Sequence, residues 1–350
     1  MPRKTILIAG ALGVIGRALV EHCENDPDVE LIGLARRRPE FPSRASFRSV
    51  DLLDRADCQR QLPDLGNVTH IVYAAWQPQP SRLEEVAPNL TMLRNLMEVF
   101  GDGAPGLRHV TLLQGAKAYG SHLGPFQTPA RETDPRHMPP NFYYDQQDYL
   151  SELQLRRDWA WTIFRPTFVY GFAVGNPMNL TTVIAVYAAI SRELNLPLRF
   201  PGTEAAYRVL SQAVDATLIG KAILWAGESR QCRNEVFNIT NGDLFRWSSM
   251  WPYLGKLLDM PVAEPQRLPL AEFMGGHERV WDGLVAKHGL KPYPYRDIVS
   301  WGFGDFCFNR EYDHILDTTK LRERGFDGCE DSYRMFERQL GFLREQRIVP

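Results

Sequence analysis

Gly10-Ala11-Leu12-Gly13-Val14-Ile15-Gly16 narrows the folds open to this chain more than any other segment. It follows an apolar stretch, Ile6–Ala9, that reads as a core strand, and it opens a helical stretch, Gly13–Cys23. Strand, glycine-rich turn and helix in that order form the start of a dinucleotide-binding βαβ unit. Gly10 permits the tight turn. Gly13 has no side chain to block a pyrophosphate from the helix N-terminus, and Gly16 lets the helix lie close to the sheet. Val14 and Ile15 complete the turn, so Gly10, Gly13, Val14, Ile15 and Gly16 form the expected cofactor-binding loop.

The rest of the first half repeats the alternation. Strands are expected at Val29–Ala35, Ser46–Val50, Val68–Ala74, Leu107–Leu113 and Trp161–Phe164, with helices at Asp54–Leu62, Glu84–Phe100 and Asp145–Asp158. Strands separated by helices of this length build a parallel sheet covered on both faces. After Arg165-Pro166 the pattern loosens into helical stretches at Asn179–Asn195, Ser211–Gly227 and Trp247–Leu258, a strand at Glu235–Ile239 and a mostly helical tail from Asp317 to Arg347. The expected fold class is therefore α/β: a Rossmann doubly wound parallel sheet with a smaller, helix-rich C-terminal lobe. Residues 1–170 would form the Rossmann domain, with segments of roughly 200–245 returning to it, and 171–350 mainly the substrate lobe. In that lobe, the apolar stripe of Asn179–Asn195 reads as core packing before it reads as a ligand wall.

Composition removes several functions. Forty Lys+Arg balance 42 Asp+Glu, without the basic excess of a nucleic-acid binder. The longest apolar run, Val183–Ile190, falls far short of the ~20 residues of a membrane helix. We expect no signal peptide, because the chain enters a core strand almost at once. The five cysteines are widely spaced; they suggest reduced thiols in a cytoplasmic protein rather than a disulfide framework or a metal site. There is no GxxxxGK[ST], GxSxG or HExxH, which sets aside P-loop hydrolysis, α/β-hydrolase chemistry and zinc proteolysis.

The end of the second strand selects the dinucleotide. An NAD enzyme usually places Asp or Glu there to hold the ribose 2′-hydroxyl. This chain has Arg36, Arg37 and Arg38, guanidinium groups suited to a 2′-phosphate, so the expected cofactor is NADPH. Asp51 and Leu52, after the third strand, are placed to flank the adenine; Asp51 could equally cap the next helix.

Short-chain dehydrogenases usually carry Tyr-x-x-x-Lys on one helix, where the lysine tunes a phenol that handles the proton at a carbonyl. Here Tyr143 is followed four residues on by Gln147, and Tyr144 by Asp148. A lysine stands instead just past the fifth strand, in Gln114-Gly115-Ala116-Lys117-Ala118-Tyr119-Gly120. With Gly33-Leu34-Ala35-Arg36-Arg37, Val68-Thr69-His70-Ile71-Val72-Tyr73-Ala74-Ala75-Trp76, Gly124-Pro125-Phe126, Asn141-Phe142-Tyr143-Tyr144, Trp301-Gly302-Phe303 and Ile348-Val349-Pro350, the whole chain resembles the progesterone 5β-reductase/iridoid synthase-like enone reductases. These are an atypical branch of the extended short-chain dehydrogenases.

The resemblance implies that Tyr143 and Lys117 are catalytic and that NADPH reduces the C=C bond of an α,β-unsaturated carbonyl compound. It also implies that Trp76, Phe126 and Phe303 line the substrate pocket. Plant members usually have Lys-His-Tyr where this chain has Lys117-Ala118-Tyr119, so a steroid substrate is not implied. The expected partner is a small-molecule enone, with neither nucleic acid, membrane nor metal; a homodimer is an assembly open to such a chain. Three other readings stay open: carbonyl reduction at the same site, sugar-nucleotide epimerisation or dehydration, and NADPH sensing without turnover.

Overall fold

The computed structural model describes residues 4–63, 65–100, 106–175 and 178–350. It divides into two compact units. The first comprises Met1–Thr167, Ala216–Ile239 and Leu316–Gly328, and the second Phe168–Asp215, Thr240–Ile315 and Cys329–Pro350.

The first unit is built on a seven-stranded sheet. Its strands are β1 (Lys4–Ala9), β2 (Val29–Ala35), β3 (Ser46–Ser49), β4 (His70–Tyr73), β5 (His109–Leu113), β6 (Ala160–Pro166) and a seventh, Glu235–Ile239. The order across the sheet is seventh-β6-β5-β4-β1-β2-β3, and every pairing is parallel. The chain reverses its direction of growth between β1 and β4, and in such sheets ligands bind outside the carboxyl ends of the strands at that point. The helices between strands are α1 (Val14–Cys23), α2 (Arg55–Gln61), α3 (Arg82–Phe100) and α4 (Phe142–Gln154).

Alternation along β1 explains the layers. Leu7 and Ala9 join a buried cluster with Cys58 of α2, Leu93 and Leu96 of α3 and Leu150 of α4; the intervening residues Ile6 and Ile8 are buried too, as a two-sided sheet requires. The helix Ala216–Glu228 packs against α1, with Gly220 set over Leu19. The segment Leu316–Gly328 is tied to the seventh strand: Lys320 Nζ donates to the Val236 carbonyl at 2.8 Å, and Arg324 pairs with Glu235 at 3.2 Å.

The second unit has its own core. Every residue of α5 (Leu180–Glu193) from Leu180 to Ser191 is buried, so the helix is enclosed on all sides, as a helix apolar all round must be. Around it, Phe200 packs against Trp251 and Phe308, each at 5.3 Å between ring centroids. One expected helix is corrected here. Ser211–Gly227 is not helical throughout: Ala213–Asp215 is a strand paired in parallel with Phe168–Tyr170, and the helix begins only at Ala216. The partner strand lies more than forty residues upstream, so no local periodicity announces the pairing. Among the described residues, no helix is long and apolar enough to cross a membrane.

Candidate active site

The glycine loop is packed too closely for side chains. Gly10 has φ +83°, and a Cβ there would lie 2.8 Å from the Ala74 backbone; at Gly16 it would lie 2.3 Å from the Gly10 carbonyl oxygen. The loop is held by Gly10 and Ala11 N–H groups that both donate to the Leu34 carbonyl at 3.2 Å. Gly13 is the N-cap of α1 and supplies no side-chain cap. The N–H groups of Val14, Ile15 and Gly16 therefore have no acceptor among the described residues, and an uncapped helix start of this kind suits an anion. Arg36, Arg37 and Arg38 stand exposed just beyond β2, and none is ion-paired among the described residues. A dinucleotide with its pyrophosphate on α1 and a phosphate beside these arginines fits the residues present.

Asp51 is not the cap of α2. Asp54 holds that position and accepts from the Ala56 and Asp57 N–H groups, while the Asp51 carboxylate accepts from Leu53 N–H at 3.0 Å in a turn of its own. Leu52 is buried, and its carbonyl accepts from Asn95 Nδ2 at 2.8 Å.

Three tyrosines surround the end of β5, and their hydroxyl groups separate them. The Tyr119 hydroxyl donates to Asn238 Oδ1 at 2.6 Å; burial pushes its pKa up to about 12, opposed by the nearby Arg165 guanidinium. The Tyr144 hydroxyl donates to the Ala118 carbonyl at 2.7 Å and accepts from His137 N–H at 3.1 Å. Tyr143 is half-buried, and nothing among the described residues hydrogen-bonds to its hydroxyl. That hydroxyl lies against the backbone of Gly115, where a Cβ would come within 3.3 Å of it. Burial raises the Tyr143 pKa well above the ordinary phenol value, Glu85 raises it further, and Arg82 opposes them. The last two groups form an ion pair at 2.6 Å in the first turn of α3.

Tyr143 sits in the first turn of α4, which begins three residues earlier than its periodicity indicates. Asn141 causes the early start: its side chain accepts the Tyr143 N–H at 3.2 Å. Behind the phenol lies a polar network. Gln114 Nε2 donates to the Tyr143 carbonyl at 2.8 Å, and the buried Arg165 donates to Gln114 Oε1 at 2.9 Å and to Gln147 Oε1 at 3.1 Å. Gln147 thus fills the place of the usual helix lysine, and a guanidinium occupies the space behind it. A lysine at 147 would face that like charge.

Lys117 is half-buried in a 3-10 turn, Ala116–Tyr119, directly after β5. Its carbonyl accepts from Asn141 Nδ2 at 3.0 Å. Trp76 is half-buried in the loop after β4. That loop is clamped by Asn89, which exchanges two hydrogen bonds with the Gln77 backbone, each of 2.9 Å. Phe126 packs on a small cluster of Ala116, Tyr119, Ala130 and Leu316. Phe303 belongs to the second unit, in the helix Trp301–Phe308, where it stacks on Phe306 at 6.4 Å and packs against that unit's core. The sequence reading missed Asn141, Gln114, Gln147, Arg165 and Asn89 as supports of the site. Only Asn141 carried a local signal, an Asn immediately before an aromatic helix start. Among the described residues, no group of His, Cys, Asp or Glu could hold a metal ion.

A family model described as the PRISE-like Rossmann-fold domain matches residues 47–350. A 3-oxo-Delta(4,5)-steroid 5-beta-reductase of Arabidopsis thaliana is 33% identical over 367 residues, covering 98% of this chain and 92% of the relative. An (S)-8-oxocitronellyl enol synthase of Antirrhinum majus is 31% identical over 364 residues, with the same coverage. Among solved structures, a UDP-glucose 4-epimerase of Thermotoga maritima aligns with TM-score 0.69 at 19% identity, covering 97% of this chain and 99% of the other. The Bordetella bronchiseptica enzyme WbmH, in complex with NAD+, aligns with TM-score 0.66 at 15% identity, covering 98% and 99%. At these identities the solved structures establish the fold alone.

Proposed function

The chain belongs to the PRISE-like Rossmann-fold family, and on that premise we propose that it is an NADPH-dependent enone reductase. The substrate class is a small α,β-unsaturated carbonyl compound, and the bond reduced is C=C. The observation that carries this reading is the Tyr143 hydroxyl. It is the one phenol of the three around β5 that the protein leaves without a hydrogen-bond partner among the described residues.

Val14, Ile15 and Gly16 would hold the pyrophosphate, and Arg36 with Arg37 the 2′-phosphate; Asp51 and Leu52 are proposed beside the adenine. When bound, this cofactor supplies a hydride for the substrate's β-carbon. As the C=C electrons shift toward the carbonyl, negative charge collects on its oxygen, where the Tyr143 O–H donates a hydrogen bond. A donor aimed at charge that develops only in the transition state is worth on the order of a hundredfold in rate. The elevated pKa suits this role: Tyr143 stays protonated and acts by donating, not by surrendering its proton, and the enolate takes up a proton from solvent at its α-carbon to give the saturated carbonyl compound. Lys117, a cation on the segment that frames this position, is proposed to assist the enolate electrostatically. Trp76 and Phe126, both of the first unit, are proposed as apolar contacts for the carbon skeleton. Four buried cysteines and one exposed, all unbridged, suit a reducing, cytoplasmic setting.

The test is product identification. The protein is incubated with NADPH and 2-cyclohexen-1-one, then with a panel of larger enones. The saturated ketone is expected. An allylic alcohol would reassign the site to carbonyl reduction, and tight NADPH binding without turnover on any enone would favour a sensor.

A further inference from the structure

The Asn141 side chain bonds in different directions, and besides the two bonds that matter here its Nδ2 lies 3.2 Å from His137 Nε2. Its Oδ1 accepts from the Tyr143 N–H at 3.2 Å, capping α4, and its Nδ2 donates to the Lys117 carbonyl at 3.0 Å. Asn141 is 7% exposed, so water does not readily replace either bond. The two segments it joins touch again at the reacting end of the phenol, since the Tyr143 hydroxyl lies over Gly115, two residues before Lys117. His137 supports the same carbonyl, with Nε2 at 3.1 Å from Lys117 O.

A cap alone does not need the second bond. Asn, Asp and Ser are nearly equivalent as N-caps, because only the side-chain oxygen is used. Of the three, the amide alone carries its acceptor and its donor on separate atoms, so it can cap α4 and reach the turn after β5 at once. We propose that Asn141 is a positioning residue that fixes the backbone of Lys117 against the first turn of α4, and so sets Lys117 in register with Tyr143. This rests on the reading of Tyr143 and Lys117 given above.

The experiment compares Asn141→Ser and Asn141→Asp, alone and combined with Lys117→Met, in the full chain. Both single variants keep the capping oxygen; Asn141→Asp has no donor, and Asn141→Ser replaces the amide N–H by a hydroxyl on a shorter side chain whose oxygen is already engaged at the cap. Expected are a Tm lowered by only a few degrees, the cost of about one buried hydrogen bond, unchanged NADPH affinity by fluorescence titration, and a fall in kcat for 2-cyclohexen-1-one of about tenfold or more. Adding Asn141→Ser to Lys117→Met should cost little further, because residues that act through one another are not additive. A second readout needs no turnover. With 3-fluorotyrosine at position 143, Lys117→Met should move the fluorine resonance in the otherwise native chain and move it much less beside Asn141→Ser. Wild-type kcat in both Asn141 variants, or an identical fluorine shift in both backgrounds, would overturn the proposal and leave Asn141 a helix cap. If the native protein reduces no enone, the enzymatic reading falls, and the fluorine comparison still decides this one.

Discussion

Two helices of the first unit begin in opposite ways. α1 starts after Gly13, which offers no side chain to its first turn, so three N–H groups have no acceptor among the described residues. α4 starts at Asn141, whose side chain occupies the Tyr143 N–H and also reaches the Lys117 carbonyl. The first helix end presents open donors, which suit an anion; the second is closed by a side chain, and its first turn carries the Tyr143 phenol. Both arrangements follow from the same shortage of acceptors at a helix N-terminus. Glycine leaves the donors to a ligand, whereas asparagine spends one of them on precision.

The contrast breaks most severely at α1. Gly16→Val would drive a side chain into the Gly10 carbonyl, 2.3 Å from the first added carbon. Loss of measurable NADPH binding and a lowered Tm are expected, by fluorescence titration and thermal unfolding. Arg36→Glu should weaken NADPH by about ten- to hundredfold, the worth of one charge-assisted hydrogen bond, while NADH binding does not weaken; parallel titrations check it. At the α4 end the effects should fall on kcat and not on cofactor affinity. Gly115→Ala pushes on the Tyr143 hydroxyl from 3.3 Å, and steady-state kinetics should show kcat reduced by about tenfold with NADPH affinity unchanged. The smallest expected effect is an absence. Burial holds the Tyr143 pKa above the ordinary 10, so the neutral donor persists as pH rises. A pH profile of kcat should show no alkaline loss from this phenol below pH 10.

These two helix ends were unequally legible in the sequence. Gly10, Gly13 and Gly16 act through their own backbone and immediate neighbours, so spacing alone exposed them. So did the parallel sheet, whose strands are continuous apolar runs such as Leu7–Ala9. Tyr143 was named by resemblance, but the three-residue early start of its helix was not, because the aromatic pair hides the cap at Asn141. The supports of the phenol were out of reach for a different reason. Arg165 meets Gln114 fifty-one residues away, and Asn238 reaches Tyr119 across 119 residues. Bonds of that span are made by topology, not by pattern. The same cause turned Ala213–Asp215 from an expected helix into a strand.

The phenol left without a hydrogen-bond partner among the described residues, Tyr143, is the one proposed to act. That assignment is tested most directly by kcat for Tyr143→Phe, Tyr144→Phe and Tyr119→Phe with NADPH and 2-cyclohexen-1-one. A loss on the order of a hundredfold is expected for Tyr143→Phe. The other two should keep kcat within about threefold and instead lose stability, roughly 1 kcal/mol for the hydrogen bond removed. An unchanged kcat in Tyr143→Phe, or an equal loss in either of the others, would contradict it.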